Sequence, residues 1–229
     1  MGKPLKVAIV GTANSCENAP YDDYGWQIWG SNEVYQLIGV RRLDLLLDIH
    51  PRTTVDRHQA HVDWLQNADI PVLMLEHYEE YPTSEPFPIK KITERFGAYF
   101  TNSISYLLAL AILRDADEIS IYGVNMATDV EFTTQRPSCE YYIGLARGLG
   151  ITVNVPDDSD MMKCPGLYGY DDAAFGRWFR GMEHSTTRAL ELIQKAACQI
   201  IVSTAVADMH QRKMGGIVRR DETEANEDY

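Results

Sequence analysis

The sequence predicts a doubly wound α/β fold, with a mostly parallel sheet followed by a C-terminal helical extension. Three observations predict it. Short apolar runs rich in Val, Ile and Leu alternate with segments of helical periodicity between residues 5 and 156, the pattern of buried parallel strands joined by crossover helices. Several of these runs stop at glycine, asparagine or histidine, which puts polar groups where an open α/β sheet holds its ligands, beyond the carboxyl ends of its strands. From Asp171 to Lys213 no proline intervenes, and Phe175, Trp178, Phe179, Met182, Ala189, Ile193, Ala197, Ile200 and Met209 recur as in one long helix or a pair divided near Glu183.

The chain has 229 residues, 45% of them hydrophobic, enough for one sizeable domain that buries roughly 70% of its unfolded surface. The expected organisation is a nucleotide-binding domain over residues 1–170, a helical extension over 171–214 and a charged, disordered tail over 215–229. An amphipathic extension of that length is not covered by a domain already complete at Tyr170, so a homo-oligomer joined through these helices is expected. A formal charge of −12, from 33 acidic and 21 basic residues, argues against an extended nucleic-acid surface and against attraction to anionic lipid. Cys16, Cys139, Cys164 and Cys198 form no CxxC pair, which points to a reducing compartment rather than a zinc cluster or disulfide framework. With no signal-peptide region at the start and no apolar run of membrane-spanning length, the cytoplasm is the expected location, and no membrane partner is expected.

Leu5–Val10 is the first predicted strand, and it stops at Gly11-Thr12-Ala13-Asn14-Ser15, whose small side chains, hydroxyls and amides are suited to a phosphate. The loop is neither GxGxxG nor GxxxxGK[ST], so an ordinary strand-end turn stands beside the phosphate reading. Gly25–Asn32 is the second strand and its end. Asn32 offers donor and acceptor together to a base or ribose edge, while Trp26 and Trp29 belong to the core. After a short helix, Leu43–His50 forms the third strand, ending in Asp48 and His50. Two residues apart, these lie on one strand face, so Asp48 can orient His50 as a general acid–base, unless His50 only caps the turn before Pro51. His58 and His61 are expected on a solvated helix face, since Asp63 is poorly spaced to complete a metal site with them.

Ile70–Leu75 is the fourth strand. The following HYEEYPTSEPFPIKK carries Pro82, Pro86 and Pro88 and is expected to lack regular structure, either as a lid bearing Tyr78, Tyr81, Lys90 and Lys91 or as a tolerated insertion. Thr101, Asn102 and Ser103 can cap a helix whose apolar positions are Ile104, Leu107, Leu108, Ala111 and Ile112. Glu118–Gly123 is the next strand, with Gly123 and Asn125 at its end. Arg136, just before Pro137 at a predicted helix start, combines a fixed cation with free amides, an arrangement that favours phosphate or carboxylate. That helix runs to Gly150, and Ile151–Pro156 supplies a last strand. Asp157, Asp158 and Asp160 follow. They are oxygen donors for Mg²⁺ or, the preferred reading, a solvated turn; no metal ligand is assigned, and Mg²⁺ stays open as the one cofactor considered.

The ordered set VAIVGTANS, WGSN, DLLLDIHP, YFTNSISYLLALAI and EISIYGVNMA, spread over residues 5 to 170, resembles the Rossmann-like group of 6-hydroxymethylpterin diphosphokinase-like proteins and bacterial sialyltransferases, with relatives among uncharacterised bacteriophage proteins. If the chain is phage-encoded, the expected cytoplasm is the host's. The resemblance implies that Gly11, Asn14, Ser15, Asn32, Thr101, Asn102, Ser103, Gly123 and Asn125 hold a nucleotide, with Thr12 in the same loop. The sialyltransferases of the group take a histidine base from the region after a Gly-Ile-Asp strand end. Here residues 128–146 contain no histidine and Asn125 stands in the acidic position, so sialyl transfer is not implied and His50 is the leading base. The expectation is a glycosyltransferase-like transferase using a nucleotide-activated sugar or related donor, with His50, Asp48 and Arg136 as catalytic groups. The alternative is a non-catalytic protein that sequesters or senses a nucleotide.

Overall fold

In the computed structural model the first strand, β1 (Lys6–Val10), is buried along nearly its whole length, and its alternation divides the core in two. Val7 and Ile9 face one side of the sheet, Ala8 and Val10 the other. A strand apolar on both faces must be covered on both, which is the condition for a parallel sheet between helical layers. The structure describes residues 3–171, except 129 and 165, together with scattered positions between 176 and 197.

Six further strands, β2 (Trp26–Ser31), β3 (Leu45–Leu47), β4 (Val72–Met74), β5 (Ser84–Pro86), β6 (Glu118–Tyr122) and β7 (Thr152–Asn154), complete the sheet in the order β5-β4-β3-β2-β1-β6-β7. Every pairing is parallel. The helices are α1 (Arg52–Val55), α2 (Gln59–Asn67), α3 (Ile89–Phe96), α4 (Ser103–Leu113) and α5 (Arg136–Gly148). Residues of α3, α4 and α5 pack with Val7, Ile9, Trp29 and Ile121, whereas Val55 of α1 and Leu65 of α2 pack with Ala8, Val10, Ile28 and Leu46. Helix α4 is apolar nearly all round and buries Ile104, Ser105 and Leu107 through Ile112, as a helix does when it is enclosed between a sheet and its neighbours.

The proline-rich stretch is more regular than expected. Ser84–Pro86 pairs with β4, Tyr81 is buried, and Lys90 and Lys91 belong to α3. The prolines are compatible with this because β5 is an edge strand, where a missing ladder donor costs little, and because Pro88 stands at the helix N-terminus, where its absent N–H would be unpaired in any case. The chain divides into two units, Met1–Lys163 and Cys164–Tyr229. The expected helical extension 171–214 lies outside the described residues save for the scattered positions, which are helical, and the expected tail 215–229 lies wholly outside them.

At the carboxyl ends of β1 and β6 the two backbones touch. Gly11 N–H donates to Tyr122 O at 2.8 Å and Ala13 N–H to Gly123 O at 2.9 Å. A Cβ at Gly11 would lie 2.4 Å from Gly123 O, and one at Gly123, whose φ is +65°, would lie 2.6 Å from Gly11 O. Backbone atoms cannot swing away as a flexible side chain does. Gly11→Ala is therefore expected to destabilise the protein by about 1–3 kcal/mol, the range for forcing a methyl into a filled site, measured by urea unfolding. An unchanged midpoint would show that the two strand ends separate freely.

Candidate functional site

The strand order reverses at β1, with β2 on one side and β6 on the other, so the loops leaving β1 and β6 part and open a crevice at the carboxyl edge. A cleft of about 460 Å³ lies there. Its floor is Gly11 to Ala13 after β1, Ser31 and Asn32 after β2, and Gly123 to Thr128 after β6. One wall is the N-terminal end of α4, and Glu131 and Gln135 of a π-helical turn, Glu131–Gln135, complete the lining.

Two asparagines define the chemistry of the floor. The Oδ1 atoms of Asn32 and Asn125 are buried without a hydrogen-bond partner. Leaving a buried acceptor unpaired costs about 1–3 kcal/mol, so two in one cleft mark a surface shaped for a donor-bearing ligand. The backbone is strained at the same places: Asn32 has φ +55° and Met126 φ +53°. Asn32 is held there by its amide, which donates to Leu47 O at 2.9 Å. The carbonyl of Asn125 accepts from Asp160 N–H at 2.8 Å and from the buried Ser159 hydroxyl at 3.4 Å, so the turn after β7 braces the loop after β6.

Helix α4 begins at the cleft because Asn102 caps it, accepting from Ser105 N–H at 2.9 Å. The amide of the same side chain donates to Gln135 O at 2.9 Å and to Ser138 Oγ at 3.1 Å, and Thr101 Oγ1 lies 2.6 Å from Ser138 Oγ. The Cys139 thiol donates to Asn102 Oδ1 at 3.3 Å, and burial pushes its pKa up to about 12, so it is a structural thiol and not a nucleophile. With Thr101 and Asn102 spent on clamping α4 to α5, the first amides of α4, brought to the lining by Ser103 and Ile104, are the groups positioned for an anion.

Of the residues expected to bind a nucleotide, Gly11, Thr12, Asn32, Thr101, Asn102, Ser103, Gly123 and Asn125 line the cleft. Asn14 and Ser15 do not. They open a 3-10 turn, Asn14–Asn18, and the Ser15 hydroxyl accepts from Gly123 N–H at 3.0 Å, a bond that shapes the floor from behind. Arg136 is also outside the lining: its Nε donates to Glu140 at 2.7 Å, its Nη2 to Lys163 O at 3.2 Å, and its guanidinium lies 4.7 Å from the centre of the Phe132 ring. Nor are the amides at Arg136 free, since the π-helical turn runs directly into α5. Glu131 and Gln135, which do line the cleft, had no local signal beyond an i, i+4 spacing.

The expected pair at the end of β3 is present and larger than expected. Asp48, 1% exposed, accepts at Oδ1 from the His50 backbone at 3.1 Å and lies 2.8 Å from His50 Nδ1. Its Oδ2 lies 2.6 Å from His61 Nε2, and His61 Nδ1 is 2.8 Å from the Tyr35 hydroxyl. His61 is thus buried inside the protein and does not lie on a solvated face, whereas His58 is exposed at the start of α2. Burial pushes the Asp48 carboxyl up, but the His61 side chain, the His50 amide and the His50 ring outweigh it, and the carboxyl titrates below its ordinary range. The His50 side chain remains 44% exposed at the carboxyl edge, outside the cleft lining.

No protein-family model and no curated protein matches the chain. Among solved structures it is similar to the sialyltransferase CstII from Campylobacter jejuni in complex with the substrate analogue CMP-3FNeuAc, at 14% identity and a TM-score of 0.46, over 66% of this chain and 79% of that one. It is also similar to the monofunctional alpha-2,3-sialyltransferase Cst-I from the same organism, at 13% identity and a TM-score of 0.49, over 70% of this chain and 78% of that one. Among the described residues no helix is long and apolar enough to cross a membrane.

Because the folded-state pKa of Asp48 is depressed, its contribution to stability is complete above the ordinary carboxylate range and is lost as pH falls through the folded value. Asp48→Ala, which leaves the buried His61 Nε2–H and the half-exposed His50 ring and amide without their acceptor, is expected to cost about 3–5 kcal/mol at neutral pH. The difference from the parent protein should begin to shrink as pH falls below the ordinary carboxylate value of about 4 and be smallest below the lower folded value, where the parent carboxyl is protonated too. Urea unfolding at both pH values checks this, and a pH-independent difference would contradict it.

Proposed function

We propose that the protein is a nucleotide-dependent transferase of the glycosyltransferase type, acting on a nucleotide-activated sugar or a related donor. The observation that carries the reading is the pair of buried, unpartnered Asn32 and Asn125 oxygens at the switch point of the sheet, beside the N-terminus of α4. Acceptor oxygens there suit the hydroxyls of a ribose or the N–H edge of a base, and the first amides of α4 suit the phosphate, those of Gly11 and Ala13 being taken by Tyr122 O and Gly123 O. Among the described residues of the lining only Glu131 is charged, so neutral dipoles meet the phosphate there. That favours a donor with one phosphate over a diphosphate. Among the described residues no three acidic, histidine or cysteine side chains converge.

In the reaction so proposed, His50 Nε2 takes the proton of an acceptor hydroxyl, the oxygen's electron pair forms the bond to the sugar carbon, and the bond from that carbon to phosphate breaks. Its electron pair leaves on the phosphate, and the doubly protonated His50, paired with Asp48, returns the proton to water. A non-catalytic nucleotide binder is the second reading. It is favoured by one observation: Arg136 and His50 both stand outside the cleft lining.

Thermal-shift titration with nucleoside mono- and diphosphates and nucleotide sugars tests the site. A selective shift is expected, with Asn32→Ala and Asn125→Ala each weakening binding about ten-fold or more, the scale of one lost charge-free to charge-assisted hydrogen bond. No shift with any member would sink the reading. Turnover separates the two functions: with the matching donor, His50→Ala is expected to lower kcat about 10²–10⁴-fold while the donor Kd stays unchanged, whereas a binder releases no nucleotide from the donor in either protein.

A further inference from the structure

The buried histidine that packs behind Asp48 has no place in the binding site, yet the structure has satisfied each of its ring atoms. His61, 3% exposed, lies 2.6 Å from Asp48 at Nε2 and 2.8 Å from Tyr35 at Nδ1, while Tyr35 stacks on Trp64 with ring centres 4.0 Å apart. A carboxylate only accepts, so the proton between Asp48 and His61 sits on His61 Nε2, and that between Asp48 and His50 sits on His50 Nδ1. The Tyr35 phenol, whose proton burial retains, donates to His61 Nδ1, and its oxygen accepts from Gln36 Nε2 at 3.3 Å. Donor and acceptor roles are then fixed along the whole chain Gln36, Tyr35, His61, Asp48, His50.

We propose that Tyr35 and His61 are positioning residues that lock Asp48 and, through it, hold His50 as the Nδ1–H tautomer, with Nε2 turned out as a base at the β3 end of the carboxyl edge. Without His61, Oδ2 of Asp48 would have no donor at 1% exposure, and the carboxylate would be drawn toward whatever water or backbone group could reach it. His50 depends on that carboxylate for both its ring and its amide, so a carboxylate that turns lets the imidazole turn. The catalytic use of this relay rests on the transferase reading above; the tautomer does not.

The test is long-range ¹H–¹⁵N NMR of the ligand-free protein, at a pH where both rings are neutral. Expected are a single Nδ1–H tautomer for His50 and a single Nε2–H tautomer for His61. His61→Leu should leave His50 populating both tautomers, and His61→Gln, whose amide still offers Asp48 an N–H, should restore the single one. Should His61→Leu fail to fold, Tyr35→Phe keeps the stacked ring but removes the hydroxyl, and solvent exchange of the His61 Nε2 proton is expected to quicken by up to about tenfold, the equivalent of one hydrogen bond. An Nε2–H tautomer at His50 in the parent protein, a single Nδ1–H tautomer surviving in His61→Leu, or unchanged exchange in Tyr35→Phe overturns the proposal. A protein with the expected tautomers that turns over no nucleotide sugar loses the transferase reading and keeps this one. If turnover is found, His61→Leu should lower kcat with KM unchanged, and His61→Gln should recover it.

Discussion

The contact between Gly11 and Gly123 is the constraint on which the carboxyl edge of the sheet depends. Two parallel strands normally keep their Cβ atoms apart by the pleat, but here the chain leaving β6 turns back over the end of β1, and the carbonyl of each glycine occupies the space a Cβ of the other would need. Gly123 must also adopt a left-handed φ, which glycine does without cost. The result is a floor made of bare backbone, with Ala13 N–H and Ser15 Oγ both engaged to Gly123. Asn32 and Asn125 add their side chains to the same floor. A ligand resting on that floor meets peptide dipoles at van der Waals distance, which no larger residue at either position would permit.

Unpaired buried acceptors and left-handed asparagine backbone both cost free energy, and they persist only where their surroundings are over-determined. The clamp between α4 and α5 supplies part of that. Asn102 alone engages Ser105, Gln135, Ser138 and Cys139, so the helix that forms the wall of the cleft is tied to the helix behind it at one residue. The other part comes from the strand ends: Asn32 is held through Leu47 of β3, and Asn125 through Asp160 after β7. The cleft is thus braced from both directions along the sheet, by hydrogen bonds that need no ligand. Such preorganisation places the ordering cost in folding rather than in binding.

Most of the fold was legible in the sequence because buried parallel strands are continuous apolar runs and cannot be mistaken for surface loops. β1, β3 and β4 are of that kind. β5 was hidden, since Ser84-Glu85-Pro86 has neither the apolar run nor the donor of an interior strand and pairs only because it lies at the edge. In the site, residues fixed by a strand end or a helix cap could be read locally, as at Gly11, Asn32, Asn102 and Gly123. Arg136 could not. An arginine before a proline looks the same whether the preceding residues are extended, leaving the amides open, or already helical, as they are here. His61 was misplaced for a related reason: its polar neighbours His58, Gln59 and Asp63 suggest a solvated face, while the group that buries it, Asp48, is thirteen residues away in sequence and on a strand.

The two polar clusters at the carboxyl edge differ in kind, and the difference bears on how such a site would divide its work. The described lining of the cleft over β1 and β6 is nearly uncharged, with fixed dipoles and two unsatisfied oxygens. The cluster at β3 is the reverse. Its hydrogen bonds are all satisfied around one ionised carboxylate, and the ring it presents to solvent is the one side chain type that exchanges a proton near neutral pH. The two regions are joined by the bond from the amide of Asn32 to the carbonyl of Leu47, the residue that precedes Asp48, which continues the β2–β3 pairing. Strain at Asn32 and the position of Asp48 are therefore set by the same strand register, so that a ligand drawn to the cleft and a proton acceptor beside it are held in one frame without either group having to touch the other.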